Sequence, residues 1–307
     1  MTVGSRGLIL QVNKQERIKQ ITQSIIGLPT LPTVITQMIG LIENPGTSAK
    51  EVSQLISTDQ ALTAKILKLA NSAFYGFPRG ISTVNQAVVV LGFETVKSLG
   101  LSVSVLERFA VGEVTSSFDR QKFWEHSISC GVAARLLAEK FNFQLRSEAF
   151  SSGILHDVGK LILSQYFAEE FNQVLSISEE EYVHISLAEE RVLGVTHTDI
   201  GRWLAEKWNL PARLTSAIAY HHCPGRSSGN ESQLPALIHL ADLLCRREEI
   251  GDGGGSSLPS LDPSALRAIG IYDEPHIAMK NIFGFGDLLH QEMEKADIFN
   301  SIACGNG

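Results

Sequence analysis

A chain of 307 residues, 44% hydrophobic and 19% charged, has the makeup of a globular protein of about two domains, able to bury roughly 70% of its unfolded surface without covalent staples. Its longest apolar stretches, Ala87 to Leu91 and Leu99 to Leu106, fall far short of the roughly 20 residues of a membrane span, and Met1 to Leu10 lacks a signal-peptide core, so a cytoplasmic protein is expected. The net charge of −7 divides into +4 over residues 1–112 and −11 over 113–307, which makes the second half a poor nucleic-acid surface and a suitable setting for cations.

Apolar residues recur at spacings of three and four along nearly the whole chain, and strand-like alternation is absent, so the fold class expected is all-α. Asn13 with Glu16 has the spacing of a capping box for a helix through about Gly27. Leu28-Pro-Thr-Leu-Pro32 breaks the chain, and a helix follows over about 33–43. Ser48 with Glu51 opens another that ends near Ser57, and Asp59 caps one that runs to Asn71. The loop from Ser72 to Ile81 carries Phe74, Tyr75 and Phe77. These aromatics are expected to plug an interface between N-terminal helices rather than to form a recognition loop, with Gly76 and Gly80 permitting positive φ.

Two further helices end near Arg108, and residues 110–118 read as a domain boundary. Helical patterns then cover about 119–140, 147–158, 160–176, 183–194, 198–208, 211–222 and 234–249. Gly251-Asp-Gly-Gly-Gly-Ser-Ser257 has the composition of a flexible linker. A short helix near 263–269 and a longer one near 274–299 follow, the latter expected to pack back on the domain or to form a dimer contact. The organisation expected is an N-terminal helical subdomain over 14–112, a second helical bundle over 117–250 and a C-terminal helical tail over 258–307. Lys50, Lys65, Lys68, Arg79 and Lys97 do not cluster in one helix, so nucleic acid is not an expected partner. Cys130, Cys223, Cys245 and Cys304 form no CxxC pair and read as free thiols.

The strongest local signal is Gly153-Ile-Leu-His-Asp-Val-Gly-Lys160. An imidazole nitrogen and a carboxylate oxygen side by side at a helix end suit one metal ion, although a buried His-Asp hydrogen bond explains the pair alone equally well. The pair has company. His126 lies upstream on an otherwise apolar helix, His197 starts a helix, His221 and His222 end another, and Asp242 sits among leucines, where burial is costly unless the carboxylate is paired or metal-bound. Each residue taken singly reads as a cap or a satisfied core polar group. Seven in this order on consecutive helices read as a ligand set.

The order His, His-Asp, His, His-His, Asp resembles the HD superfamily of metal-dependent phosphohydrolases, in particular its two-metal HD-GYP branch. The resemblance implies that His126, His156, Asp157 and Asp242 hold one metal, with Asp157 bridging to a second held by His197, His221 and His222. Lys160 would meet a phosphate oxygen, so Asp157 and Lys160 are the residues expected to be catalytic. The front half is similar to HDOD domains, on Leu28-Pro-Thr-Leu-Pro-Thr33, on Ile56-Ser-Thr-Asp-Gln-Ala-Leu-Thr-Ala-Lys65 continuing to Gly76, and on Ile81 to Phe93. That similarity runs from about residue 22 to about 245, and it implies an HD-domain-like bundle behind the N-terminal subdomain.

HDOD domains are bacterial signalling modules, many of which have lost metal ligands. Here the set is retained, but His222 is followed by Cys-Pro-Gly-Arg-Ser-Ser-Gly-Asn in place of the HD-GYP loop. Two functions follow. One is a signal-transduction protein with a retained metal site whose output is contact with signalling proteins. The other is a phosphohydrolase acting on a nucleotide or other phosphoester. The cofactor expected is one or two divalent ions, with Fe, Mn, Zn, Ni and Mg all compatible.

Overall fold

Ser48 and Glu51 form the reciprocal cap that their spacing predicts, the Ser48 hydroxyl accepting from the Glu51 amide at 3.2 Å and the Glu51 carboxylate accepting from the Ser48 amide at 2.8 Å. Local rules of this kind fix much of the chain. The computed structural model describes residues 3–110, 118–255, 257 and 259–305, all of them in helices, turns and loops, with no strand among the described residues. Residues 111–117, where the sequence places a domain boundary, lie outside them.

The N-terminal part comprises α1 (Val3–Ser24), α2 (Thr33–Ile42), α3 (Ala49–Ile56), α4 (Gln60–Ala70), α5 (Val84–Leu91) and α6 (Phe93–Ala110). Asn13 lies inside α1 and does not open it, contrary to the capping-box reading. Asp59 caps α4 by accepting from the Leu62 amide at 3.0 Å. No single helix among the described residues is long and apolar enough to cross a membrane.

The second part holds α7 (Arg120–Lys140), α8 (Arg146–Leu155), α9 (Val158–Tyr166), α10 (Ala168–Glu180), α11 (Ile185–Val192), α12 (His197–Lys207), α13 (Ala212–Tyr220) and α14 (Gln233–Arg247). The tail adds α15 (Pro263–Ala268), α16 (Pro275–Phe283) and α17 (Gly286–Ala303). Two expected helices are each two. Phe167, at φ −135° and ψ 48°, ends α9 by donating its N–H to the Leu163 carbonyl and begins α10 by accepting from the Phe171 amide. One residue suffices for that bend, so the apolar periodicity carries on across it. Gly284 and Phe285 divide the region 274–299 in the same way.

The halves interlock. Helix α6 is buried along most of its length between α2 and α8, and the Ser98 hydroxyl donates to the Ser147 carbonyl at 2.7 Å. The break at residues 28–32 docks on the second half, where the Trp208 indole N–H donates to the Pro29 carbonyl at 2.9 Å. Of the three loop aromatics Phe77 is exposed, whereas Phe74 is buried and plugs an interface with the second half and the tail. It packs on Phe150 of α8 and Phe299 of α17, ring centroids 5.0 and 5.4 Å apart, with the Arg135 guanidinium 4.0 Å above its ring. Helix α17 therefore packs back on the molecule, against α6 and α7. Gly76 takes positive φ, as its place in the loop predicts, whereas Gly80 does not.

Candidate metal centre

Close helix crossings bring the ligands together, and glycine permits them. A Cβ on Gly153 of α8 would stand 2.4 Å from the Gly131 nitrogen of α7, and one on Gly159 of α9 would stand 2.0 Å from the His197 carbonyl oxygen. Backbone thus meets backbone at α7/α8 and at α9/α12. His126 of α7 is set beside His156, at the end of α8, and His197, the first residue of α12, beside Asp157. His221 and His222 follow the last turn of α13, and Asp242 comes from the middle of α14.

All seven residues singled out in the sequence converge. Joined by Cys130, they form two groups, each with ligand atoms within 4.8 Å of one another, His126, Cys130, His156 and Asp242 in the first and Asp157, His197, His221 and His222 in the second. In the first, His126 Nε2 lies 3.1 Å from Asp242 Oδ1. In the second, Asp157 Oδ1 lies 3.2 Å from His197 Nε2 and 3.5 Å from His221 Nε2. Asp157 Oδ2 faces back toward the first group, 3.2 Å from His156 Nε2. All but the half-buried His222 are buried.

Hydrogen bonds on the far side of the rings set the tautomers. His156 Nδ1–H donates to the Gly153 carbonyl at 2.7 Å, and His221 Nδ1–H donates to the Ile218 carbonyl at 3.0 Å. A carbonyl can only accept, so in the neutral form of each ring the proton sits on Nδ1 and Nε2 carries the lone pair. His197 Nδ1 is held at 2.7 Å by Glu189 Oε2, which also accepts from the His197 amide at 2.8 Å. A carboxylate behind a ligating imidazole is the arrangement that orients metal-bound histidines. Glu189 escapes sequence reading because it stands in a run of surface-type acids, Glu189-Glu190, eight residues before its partner.

His156 Nε2, Asp157 Oδ1, His221 Nε2, His222 Nδ1 and Asp242 Oδ2 are all buried without a hydrogen-bond partner. Unmet acceptors at this density are expensive, and a cation between them would satisfy them together. The residues fit a divalent metal.

Electrostatics agree for every ligand but His156, whose imidazole Asp157 raises against burial. Burial alone would raise the Asp157 carboxyl, but His156, Lys160 and His197 outweigh it and hold the group well below the usual carboxylate range. For Asp242 burial is likewise outweighed, by Arg246 and then by the hydrogen bond from His126. Burial pushes His126, His197, His221 and His222 below the ordinary imidazole value, keeping them in the neutral form that binds metal. His184, also missed in the sequence, packs its ring 4.5 Å from His222 and is drawn down to about 4 by burial and by Lys160. His239 is outside the centre, since it donates to the His221 carbonyl and accepts from the Asp262 amide.

Two organic cations already stand here. Lys160 Nζ donates to Asp157 Oδ2 at 2.5 Å, and Arg246 Nε donates to Asp242 Oδ1 at 2.8 Å. The second could have been found from the i,i+4 spacing on α14. Residues 251–255 of the glycine-rich stretch read as a flexible linker form a strap across the site. The Gly253 carbonyl accepts from Lys160 Nζ at 2.6 Å, and the Asp252 amide donates to the Lys122 carbonyl at 3.0 Å. A Cβ on Gly251 would meet the His126 nitrogen at 2.3 Å, and one on Gly253 would come within 2.9 Å of its ring. Glycine serves here for close approach, not for looseness.

Comparison with known proteins agrees with this architecture. The family model of the HDOD domain matches residues 28–224. An uncharacterized protein of Treponema pallidum (strain Nichols) is 28% identical over 244 residues, 78% of this chain, which spans 46% of that protein's length. The solved structure of an HDOD domain protein of unknown function from Geobacter sulfurreducens superposes with a TM-score of 0.72 at 26% identity, covering 94% of this chain and 97% of that one. A candidate phosphohydrolase from Shewanella amazonensis SB2B has the same fold, with a TM-score of 0.68 at 24% identity, covering 94% and 98%.

Proposed function

Given that the chain belongs to the HDOD family, we propose that it is a bacterial signal-transduction module of the cytoplasm, in which a metal centre serves as a structural or sensory element and output is contact with other signalling proteins. The observation that carries this reading is the state of Lys160. Its side chain is fully buried, and its ammonium is spent on Asp157 and on the Gly253 carbonyl, where a hydrolase would keep it for a phosphate oxygen. The strap lies over His126, and the first ligand group is walled in on that side.

A second reading is a metal-dependent phosphohydrolase acting on a nucleotide or another phosphoester. It is favoured by two ligand groups either side of one carboxylate, with a lysine beside them. Ions bound there would neutralise phosphoryl charge and make a water acidic enough to attack near neutral pH. The chain's own part would be to orient the imidazoles through Glu189 and the Gly153 and Ile218 carbonyls, and to offer Lys160 to a phosphate oxygen once the strap moved.

Elemental analysis of protein purified without chelators or a histidine tag, beside Asp157→Ala, followed by assays on cyclic and linear nucleotides and an aryl phosphodiester, separates the readings. Bound metal that Asp157→Ala loses, with no turnover, supports the regulatory module. Turnover that Lys160→Ala abolishes while metal is retained supports the hydrolase. A metal-free protein would remove the metal from both.

A further inference from the structure

The first ligand group contains a residue that the HD pattern does not supply. His126 and Cys130 lie one turn apart on the same face of α7, where i and i+4 side chains meet. Cys130 Sγ is 3.5 Å from His126 Nε2, and both side chains are buried. With His156 and Asp242 they place four ligand atoms within 4.8 Å of one another. Asp157 is not among these four atoms: its Oδ2, 3.2 Å from His156 Nε2, is also held by Lys160, and its Oδ1 is turned to His197 and His221. Two of the group's atoms, His156 Nε2 and Asp242 Oδ2, are buried acceptors with nothing to accept from.

We propose that Cys130 is a thiolate ligand of the first metal position, completing a set of two imidazoles, one carboxylate and one sulfur. A set with sulfur selects ions of the Zn²⁺, Fe²⁺ and Co²⁺ class and disfavours Mg²⁺, whereas the second position, three imidazoles and a carboxylate, discriminates less. Binding breaks the S–H bond and forms a sulfur–metal bond. The proton passes to solvent, a water leaves the ion, and no electron is transferred. The anionic sulfur adds a second negative ligand to this position beside Asp242. Cys245 of α14 is buried close to Cys130, yet stands outside the four-atom group and so serves as an internal control.

The inference rests on the metal-centre reading above, and the test separates the two. Full-length protein is stripped of metal, reloaded with Co²⁺ without oxygen, and measured for cobalt content and for the near-ultraviolet thiolate-to-cobalt charge-transfer band. Wild type and Cys245→Ala are expected to show the band. Cys130→Ala is expected to lose it while keeping its helical circular dichroism and the cobalt of the second position. Cys130→Ser, whose hydroxyl gives no such band, answers the same question if the alanine variant does not fold. Cobalt bound by wild type without the band, or a band that survives Cys130→Ala, overturns the assignment of Cys130 alone. Protein that binds no cobalt overturns the metal centre and this assignment together.

Discussion

Lys160 and Gly253, 93 residues apart, are joined by a buried hydrogen bond of 2.6 Å from ammonium to carbonyl, and the same ammonium neutralises Asp157 at 2.5 Å. The strap and the carboxylate between the two ligand groups therefore share one cation. Replacing Lys160 by Met keeps the volume but leaves a buried carboxylate short of its nearest cation and a carbonyl without a donor. Loss of one partner from a buried ion pair costs about 3–5 kcal/mol. Lys160→Met should lower the unfolding free energy of the metal-free protein by about that much in urea titrations. Saturating divalent metal should restore part of it by taking over the charge on Asp157. A loss within the error of the titration would mean that Lys160 does not hold the strap.

The strap makes its own prediction. Gly251 has φ +65°, and an added Cβ there would stand 2.3 Å from the His126 nitrogen. Gly251→Ala cannot be absorbed by rotating a side chain, so the segment must lift. The expected cost is about 1–3 kcal/mol, from strain and from overpacking against α7. Amide exchange should speed up over 250–255 and at the His126 turn, with the rest of the molecule unchanged. Metal should also load faster than into wild type. An unchanged exchange pattern would show that the strap does not cover the site in solution.

Glu189 gives a prediction confined to one ligand group. It touches no ligand atom directed at the metal, but it fixes the His197 ring through Nδ1. Partners of this kind typically cost 10–100-fold in metal affinity when removed. Glu189→Ala should weaken the second position by about that factor in a competition titration against a chelating dye. The group containing His126 and Asp242 should keep its affinity. Equal weakening of both would indicate general disruption instead of lost positioning.

The part of this molecule legible in the sequence is the part written in short-range chemistry. His156-Asp157, the His221-His222 pair and Asp242 among leucines each depart from the local pattern, and all lie at the centre. Ser48 with Glu51 declares its cap within four residues. The break at Phe167 is silent because a one-residue bend leaves the apolar period running from α9 into α10. The strap misleads for a different reason. The missing Cβ that loosens an exposed chain also lets backbone lie against backbone, and composition alone does not tell the two apart. Glu189 is hidden because its carboxylate matters only through a histidine on another helix. Phe74 declares itself a plug, yet two of the rings it plugs against lie about 75 and 225 residues further along the chain.

Stability against pH follows from the signs of the shifts. His126, His184, His197, His221, His222 and His239 have folded pKa values below that of a free imidazole, chiefly through burial. Below about pH 6.5 the unfolded chain takes up protons that the folded one refuses, so their contribution is present above that pH and lost as it falls. His184, drawn down to about 4, by itself removes about 2 kcal/mol between pH 6.5 and 5. Glu189 and His156 run the other way. Burial lifts Glu189 to about 8, so what it contributes is lost as pH rises from about 4.5 toward 8, and Asp157 outweighs burial to raise His156, whose contribution is lost as pH rises above the free imidazole value of about 6.5. Asp157 and Asp242, held low, matter only below about pH 4. The metal-free protein should therefore be most stable near pH 6.5 and should weaken on acidification to pH 5 more steeply than on raising the pH to 8. Urea midpoints across that range, with a chelator present throughout, measure it. A midpoint that rises on acidification to pH 5 would mean that these imidazoles are not buried in the neutral form.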